Sequence, residues 1–234
     1  MPVEAKRFAW VAVCIGAIIG LVSAQQAKND DPVIARVNGQ IISASRLDKE
    51  NSDFREVLAA SGMTAEQVAA EVDKRQSDII LSLINEVLLI QRAKTIPGLN
   101  DEIEQAVERE VLDVAKKSGL NSSADLEAAM KKEGLDLAAV RTSLRTQYTK
   151  SAVFSREVDV NLNQNVTANE AKIYYDANRS KFPEMPAFDE TKVRQAILIE
   201  RRAEAREEYL KSLRSKAVIT VADNYRAALA KYLN

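Results

Sequence analysis

The fold of this chain is decided by the stretch Val33-Ile34-Ala35-Arg36-Val37-Asn38-Gly39-Gln40-Ile41-Ile42. Two apolar runs on either side of an Asn-Gly pair predict a β-hairpin with a type I′ turn. A hairpin alone is only marginally stable in water, so this one needs a third strand or a helical cover. The other strand signal, Ala217-Val218-Ile219-Thr220-Val221, lies close to the C-terminus. We predict that this late strand pairs with the hairpin and closes the fold; the alternative is an extended tail.

Residues 1–24 have the pattern of a secretory signal peptide. Lys6 and Arg7 form a basic start, an apolar and uncharged run follows, and Val22-Ser23-Ala24 is a small-residue cleavage site. The competing interpretation is an uncleaved membrane anchor, but the apolar run has about 15 residues where a span needs about 20. Cleavage after Ala24 would also remove the only cysteine, Cys14. An exported chain without disulfides suits the bacterial periplasm or cell envelope.

The rest of the chain has the composition of a mainly helical protein. Only 7 glycines and 5 prolines occur among 234 residues, so turns are few and helices are long. The 33 basic and 34 acidic residues give a net charge of −1, and the two signs are mixed. Such a mixture offers no basic patch to nucleic acid or to anionic lipid. We predict a mainly α, multi-helix fold with one small β-sheet, made of the hairpin at 33–42 and the strand at 217–221.

Local signals mark where helices begin and which faces they bury. Thr64 with Gln67 has the spacing of a capping box, and Ser43 and Asn100 are placed to cap two other helices. Two apolar stripes at helical spacing predict buried faces. They are Val68, Val72, Ile79, Leu83, Val87 and Ile90 in one long helix, and Ala196, Ile199, Ala203, Leu210 and Leu213 in a highly charged helix near the C-terminus.

The sequence offers little to an enzyme. It contains no histidine, which excludes Ser-His and Cys-His catalytic pairs and His-based metal sites. It also contains no glycine-rich phosphate loop. Carboxylates are plentiful on helical faces, where a solvated surface is favoured over a glycosidase-like pair. They are Glu102, Glu104 and Glu108, Asp189 and Glu190, and Glu204, Glu207 and Glu208. We therefore predict no catalytic residue, no cofactor-binding residue and no metal site.

Methionine side chains are candidates for apolar binding. Met63, Met130 and Met185 lie at or near predicted helix ends, and Met185 is in a proline-rich stretch that we expect to be exposed. Flexible thioethers suit surfaces that bind many partners; gap-filling in the core is the alternative. The pair Tyr174-Tyr175 is expected to lie in the core and at its rim.

Several segments resemble SurA-like periplasmic chaperones and related parvulin-type foldases, in the order of that family. The stretch at 33–42 resembles the family's opening, and Ile84-Asn85-Glu86-Val87-Leu88-Leu89-Ile90-Gln91-Arg92-Ala93 resembles its long second helix. Residues 99–107 and 140–148 are similar to the helices that follow. Val166-Thr167-Ala168-Asn169-Glu170-Ala171-Lys172-Ile173-Tyr174-Tyr175, continuing to Lys181-Phe182, is similar to the segment that leads into the isomerase domain.

The chain departs from this family after Phe182-Pro183. The next segment, residues 188–197, resembles the helix that follows the isomerase domain, and only Glu184-Met185-Pro186-Ala187 stands between them. The absence of histidine agrees with a missing isomerase domain, because parvulin sites use histidines. The resemblance implies a chaperone core without isomerase activity, in which the N- and C-terminal segments fold together around a groove for extended clients.

Composition and resemblance together predict five segments. They are a signal peptide at 1–24, a flexible lead at 25–32, an N-terminal helical chaperone core at 33–160, a linker and helix leading to the missing isomerase position at 161–187, and a helix, strand and helix at 188–234 that complete the core. Thr167 with Glu170 has capping-box spacing at the head of the helix in the fourth segment.

The function expected from the sequence is that of an ATP-independent periplasmic chaperone, or holdase, without peptidyl-prolyl isomerase activity. It would bind unfolded or outer-membrane polypeptides in a cradle between the main bundle and the helix after Thr167, and no integral membrane span would remain after signal cleavage. The motifs identify no individual client-binding residue. The first alternative is an envelope interaction or assembly protein that binds one folded partner or itself as a homodimer; the second is a hydrolase with a carboxylate pair.

Overall fold

The computed structural model describes residues 31–185 and 187–233. The predicted signal peptide at 1–24 and residues 25–30 of the predicted lead lie outside these ranges. Within them, helices dominate and three short strands form one antiparallel sheet. The predicted fold class, mainly α with a small sheet built from both ends of the chain, is confirmed. None of the described helices combines the length and the apolar character that a membrane span requires.

The elements follow a simple order along the chain. The strands are β1 (Val33–Val37), β2 (Gln40–Ser43) and β3 (Ile219–Val221). The helices are α1 (Ala44–Ala60), α2 (Ala65–Ala93), α3 (Leu99–Lys117), α4 (Ser123–Lys132), α5 (Leu137–Glu157), α6 (Ala168–Ala177), α7 (Glu190–Ser215) and α8 (Asp223–Leu233). Single turns of 3-10 helix, Asp159–Asn161 and Arg179–Lys181, follow α5 and α6.

The described chain divides into two compact units. Unit 1 contains the residues up to Ala152 and those from Ala217 onward, and unit 2 is Val153–Lys216. Unit 1 therefore holds the sheet, α1 to α4, most of α5 and α8, whereas unit 2 holds the end of α5 with α6 and α7. Unit 2 is thus one continuous segment inserted between two parts of unit 1.

The sheet joins the two sequence-distant parts of unit 1. Its strand order is β2-β1-β3, and both outer strands run antiparallel to β1. Arg36 pairs with Ile41 on one side and with Thr220 on the other. On the opposite face, Val37 and Val221 are buried. The predicted pairing of a late strand with the hairpin is confirmed.

Asn38 connects the hairpin to two other parts of unit 1. Asn38 and Gly39 have φ values of 49° and 86°, which the type I′ turn requires. The Asn38 N–H donates to the Val218 carbonyl (2.8 Å), and the Val218 N–H donates to Asn38 Oδ1 (2.8 Å). Asn38 Nδ2 also donates to Gln91 Oε1 in α2 (2.8 Å). One turn residue therefore binds both the C-terminal segment and a central helix.

Ser43 is the N-cap residue of α1, as the sequence predicts, but the N–H groups at the start of the helix bond to residues further upstream. Ser43 occupies the N-cap position, but its side chain makes no capping hydrogen bond and lies 3.1 Å from the Ser45 hydroxyl instead. The Ser45 N–H donates to Asp31 Oδ1 (3.0 Å), and the Ala44 N–H donates to the Pro32 carbonyl (2.8 Å). Hydrogen bonds from the hydroxyl and the N–H of Ser45 lower the pKa of Asp31.

Helix α2 contributes more buried residues to the core of unit 1 than any other described element. It begins with the predicted capping box, in which Gln67 N donates to Thr64 Oγ1 (3.3 Å) and Thr64 N donates to Gln67 Oε1 (2.9 Å). The predicted stripe is confirmed at four of its members, whereas Ile79 and Ile90 are only half-buried. The buried residues of α2 are Val68, Val72, Ile80, Leu83, Ile84, Val87, Leu88, Leu89 and Ala93.

Helix α3 begins at Leu99, so the predicted capping role of Asn100 is wrong. Gly98 is the N-cap residue and has a φ of 75°, a conformation that glycine adopts without steric cost. Leu99 is buried, and the helix begins two residues earlier than the polar signal indicated. Ser122 caps α4, because its hydroxyl accepts a hydrogen bond from the Asp125 N–H (3.1 Å).

Unit 2 is built around Tyr175 of α6. This side chain is fully buried, and its ring lies 5.5 Å from that of Phe182 and 5.6 Å from that of Phe188. Val193 and Ile197 of α7 complete the cluster. Tyr174 is half-buried against it, so the expected placement of this tyrosine pair in the core and at its rim is confirmed.

The buried face of α7 differs from the predicted one. Val193 and Ile197, four residues apart, are its buried apolar positions, and Ile199 from the predicted stripe is 64% exposed. Asp189 caps the helix by accepting from the Thr191 and Lys192 N–H groups (3.1 and 3.2 Å). In a helix with so few apolar residues, contact with α6 decides which face is buried, and sequence spacing does not.

Candidate functional site

An open groove lies between α1 and α2 in unit 1. Its volume is about 410 Å³. We call it the α1–α2 groove. Its lining residues repeat at helical spacing along one face of each helix. They are Glu50, Asp53, Phe54 and Val57 from α1, and Arg75, Asp78, Ile79 and Ser82 from α2.

The floor of the α1–α2 groove is apolar. Val57 is 66% exposed, and the side chains of Phe54 and Ile79 are half-buried beside it. The buried positions of α1 are Leu47 and Asn51, so Val57 lies off the face that packs on the core. An exposed apolar side chain in a groove offers a surface for another apolar group, because its hydration costs free energy.

The rim of the α1–α2 groove is mainly acidic. Glu50, Asp53 and Asp78 contribute carboxylates, and Arg75 contributes the one cation of the lining. Arg75 Nε donates to Glu71 Oε1 (2.9 Å), and the guanidinium carbon lies 5.3 Å from the centre of the Phe54 ring. Because Glu71 neutralises Arg75, the groove presents an excess of negative charge.

The carboxylates of the rim differ in environment. Partial loss of hydration raises the pKa of Glu50, and the nearby carboxylates of Glu86 and Asp53 raise it further. Asp78 is bound from another helix, since the Tyr232 hydroxyl donates to its Oδ1 (3.3 Å). The C-terminal helix α8 therefore reaches the same groove that α1 and α2 form.

A charged triad beside the α1–α2 groove connects three helices. Glu86 of α2 is paired with Arg46 of α1 and with Lys150 of α5, the latter at 3.1 Å. The Glu86 side chain is only 15% exposed, so its charge is partly removed from water and both cations compensate for the lost hydration. This triad therefore links α1, α2 and α5 through charged side chains.

Unit 2 has a depression of its own along α6, with a volume of about 430 Å³. Ile173 is 61% exposed there, and Tyr174 lies beside it. Burial and a hydrogen bond to Glu200 raise the pKa of Tyr174. Lys181 Nζ donates to the Tyr174 hydroxyl (3.2 Å) and to Glu200 Oε1 (2.6 Å). Tyr174, Lys181 and Glu200 therefore form hydrogen bonds with one another.

The carboxylates singled out in the sequence act mostly in ion pairs and caps. Glu104 pairs with Arg145, whose hydrogen bond lowers the pKa of Glu104. Glu108 pairs with Arg141 at 2.9 Å. Glu190 and Glu207 also pair with arginines of their own helix. Within residues 31–185 and 187–233, no group of three or more acidic side chains is placed to hold a metal ion.

The methionines do not line either depression. Met130 is buried, and Met63 is half-buried at the end of α1. Met185 was expected to be exposed, and this expectation is wrong: it is half-buried against the Tyr175 cluster, and its carbonyl accepts a hydrogen bond from the Tyr175 hydroxyl (2.7 Å). That bond holds the backbone of Met185 against the core of unit 2, whereas Pro183, Glu184 and Ala187 are exposed.

Sequence reasoning missed the α1–α2 groove. Ile79 was assigned to the buried stripe of α2, and Phe54 and Val57 were not assigned to any site. A signal was present, because Glu50, Phe54 and Val57 follow one another at spacings of four and three, which puts them on one helical face. That face borders the one containing Leu47 and Asn51, because Phe54 follows Leu47 by seven residues and Asn51 by three.

Comparison with known proteins connects the chain with curated foldases. No family model matches the chain. It is similar to the foldase protein PrsA from two strains of Clostridium kluyveri, with 27% identity over 165 residues in each case. The aligned region covers 65% of this chain and 48% of the relatives. The chain thus spans about half the length of the curated relatives that it matches, and it is related in sequence to foldase proteins.

Proposed function

We propose that this protein is an ATP-independent chaperone, a holdase that binds unfolded polypeptides in the bacterial envelope. Export by the predicted signal peptide would bring it to the periplasm, with outer-membrane polypeptides among its clients. Similarity to proteins named as foldases supports a role in protein folding. The observation that carries the proposal is the α1–α2 groove, which presents exposed Val57 and half-buried Phe54 and Ile79 to solvent.

The size and openness of the groove suit transient binding. Its volume of about 410 Å³ lies within the range of sites that accept a small ligand or a few side chains. Burying one apolar side chain contributes only about 1.5–3 kcal/mol, so a single client segment binds weakly. Weak binding at several segments of one client permits release without ATP.

We further propose that the chain has no peptidyl-prolyl isomerase activity. The segment from Phe182 to Asp189 is a short connection between the 3-10 turn after α6 and the start of α7. Its Met185 N–H donates to the Phe182 carbonyl (3.1 Å). The absence of histidine from the sequence supports the same proposal. Isomerase activity on a proline-containing peptide is expected at background level.

Aggregation of a denatured outer-membrane protein tests the holdase proposal. The purified protein is expected to suppress light scattering at a near-equal molar ratio. Val57→Ser should weaken this suppression several-fold, because it removes the most exposed apolar side chain of the groove. Valine and serine have similar helix propensities, so circular dichroism should show an unchanged fold.

Val160→Ser is the matched control. Val160 is 68% exposed, against 66% for Val57, and it lies outside the groove. It should therefore leave suppression unchanged. Equal losses in the two variants would assign the effect to general surface hydrophobicity. Failure of the unaltered protein to suppress aggregation, with capture of one folded partner instead, would favour an assembly protein over a holdase.

A further inference from the structure

The acidic rim of the α1–α2 groove has an uneven charge balance. Three carboxylates and one guanidinium line the groove, and the guanidinium of Arg75 is bound by Glu71. Among the described residues, neither Glu50 nor Asp53 has a Lys or Arg nitrogen within the 4.0 Å of an ion pair. Arg46 and Lys49 attract the Glu50 carboxylate electrostatically without an ion pair, so both carboxylates can still bind a cation brought by a partner.

The apolar floor and the acidic rim lie close together along α1, so both can contact one short segment of a bound polypeptide. Glu50, Phe54 and Val57 lie on consecutive turns of α1, and Ile79 faces them from α2. An apolar side chain that enters the floor therefore puts its chain neighbours beside the rim. A neighbouring Lys or Arg would meet a carboxylate there, whereas a neighbouring Asp or Glu would meet a like charge.

We propose that the α1–α2 groove selects extended polypeptide segments in which an apolar side chain is next to Lys or Arg. This selection rests on the proposed holdase function and adds a client class to it. An exposed ion pair contributes about 0.2–1 kcal/mol, which changes a dissociation constant by at most about 5-fold. Two such pairs in place of two repulsions of similar size should make the affinity for cationic segments about fourfold or more higher than the affinity for anionic segments.

Three labelled peptides test the selection. Each carries one phenylalanine in the same extended, otherwise polar sequence, flanked on both sides by Lys, by Gln or by Glu. Fluorescence anisotropy with the purified protein at low salt should rank the affinities Lys, then Gln, then Glu. At 1 M salt the Debye length falls to about 3 Å, so the three affinities should converge on that of the Gln peptide.

A double variant locates the effect. Glu50→Gln with Asp53→Asn should reduce the affinity for the Lys peptide several-fold, raise that for the Glu peptide and leave the Gln peptide unchanged. Glu127→Gln with Asp113→Asn is the matched control, since both residues are exposed in unit 1, outside the groove. It makes the same change in net charge and should alter none of the three affinities.

The outcomes separate this inference from the proposed function. Equal binding of all three peptides at low salt would overturn charge selection and leave the holdase proposal intact. If no peptide binds and aggregation is not suppressed, the holdase proposal itself fails. If the control variant lost the preference for the Lys peptide and the groove variant kept it, binding would be assigned to another surface. Self-association that Val57→Ser abolishes would show that a second copy occupies the groove.

Discussion

Leu229→Ala should lower the free energy of unfolding of unit 1 by about 2–5 kcal/mol, the range measured when a buried leucine leaves a cavity. Leu229 of α8 has no exposed surface, although it follows all of unit 2 in the chain. Its side chain packs in unit 1, which also contains the N-terminal hairpin. Chemical denaturation followed by circular dichroism measures the change.

Leu112→Ala is the control for this variant. Leu112 lies in α3 of the same unit and is 37% exposed, so less apolar surface is returned to water and the loss should be clearly smaller. Deleting residues 217–234, which removes β3 and α8 together, should abolish cooperative unfolding of unit 1. A truncated protein with the melting temperature of the full chain would show that the C-terminal segment contributes nothing to the fold.

Tyr175→Ala should destabilise unit 2 by about 3 kcal/mol or more, as expected for an aromatic side chain removed from a core. The ring contacts those of Phe182 and Phe188, so its loss leaves two other aromatic side chains unsupported. Tyr175→Phe keeps the ring and removes the hydrogen bond to the Met185 carbonyl (2.7 Å). That variant should lose only about 0.5–1.5 kcal/mol.

Hydrogen exchange measured by mass spectrometry can assign these losses to one unit. Tyr175→Ala should speed exchange in α6 and α7 and leave the buried amides of α2 unchanged. Tyr174→Ala is the control, because this neighbouring side chain is only half-buried and should have a smaller effect. Equal acceleration in both units would show that they unfold together as one cooperative block.

The features that sequence predicted correctly depend on local chemistry. The Asn38-Gly39 turn needs two residues that tolerate positive φ, and the capping box at Thr64 needs two side chains three positions apart. Each signal lies within a few residues, so its physical cause is contained in the stretch that displays it. The pairing of β3 with β1 was predicted from a longer argument, namely that a lone hairpin needs a partner.

The features that sequence missed depend on what a neighbouring element covers. Ile199 has the right spacing to be buried, but α6 packs on the face of Val193 and Ile197 instead. Val57 is exposed because the core contacts of α1 involve a different face. The capping of α1 by Asp31 bridges 14 residues, beyond the range of helix-cap patterns. The α1–α2 groove belongs to the same class of long-range features.

The bonds between Asn38 and Val218 also constrain the order of folding. They join residues 180 positions apart, and the whole of unit 2 lies between them in the chain. In a chain made from its N-terminus, all residues of unit 2 are synthesised before β3. Until β3 is made, one edge of β1 has no partner strand. Contacts of such long range slow folding. The newly made protein is therefore, for a time, an incompletely folded polypeptide with an open strand edge.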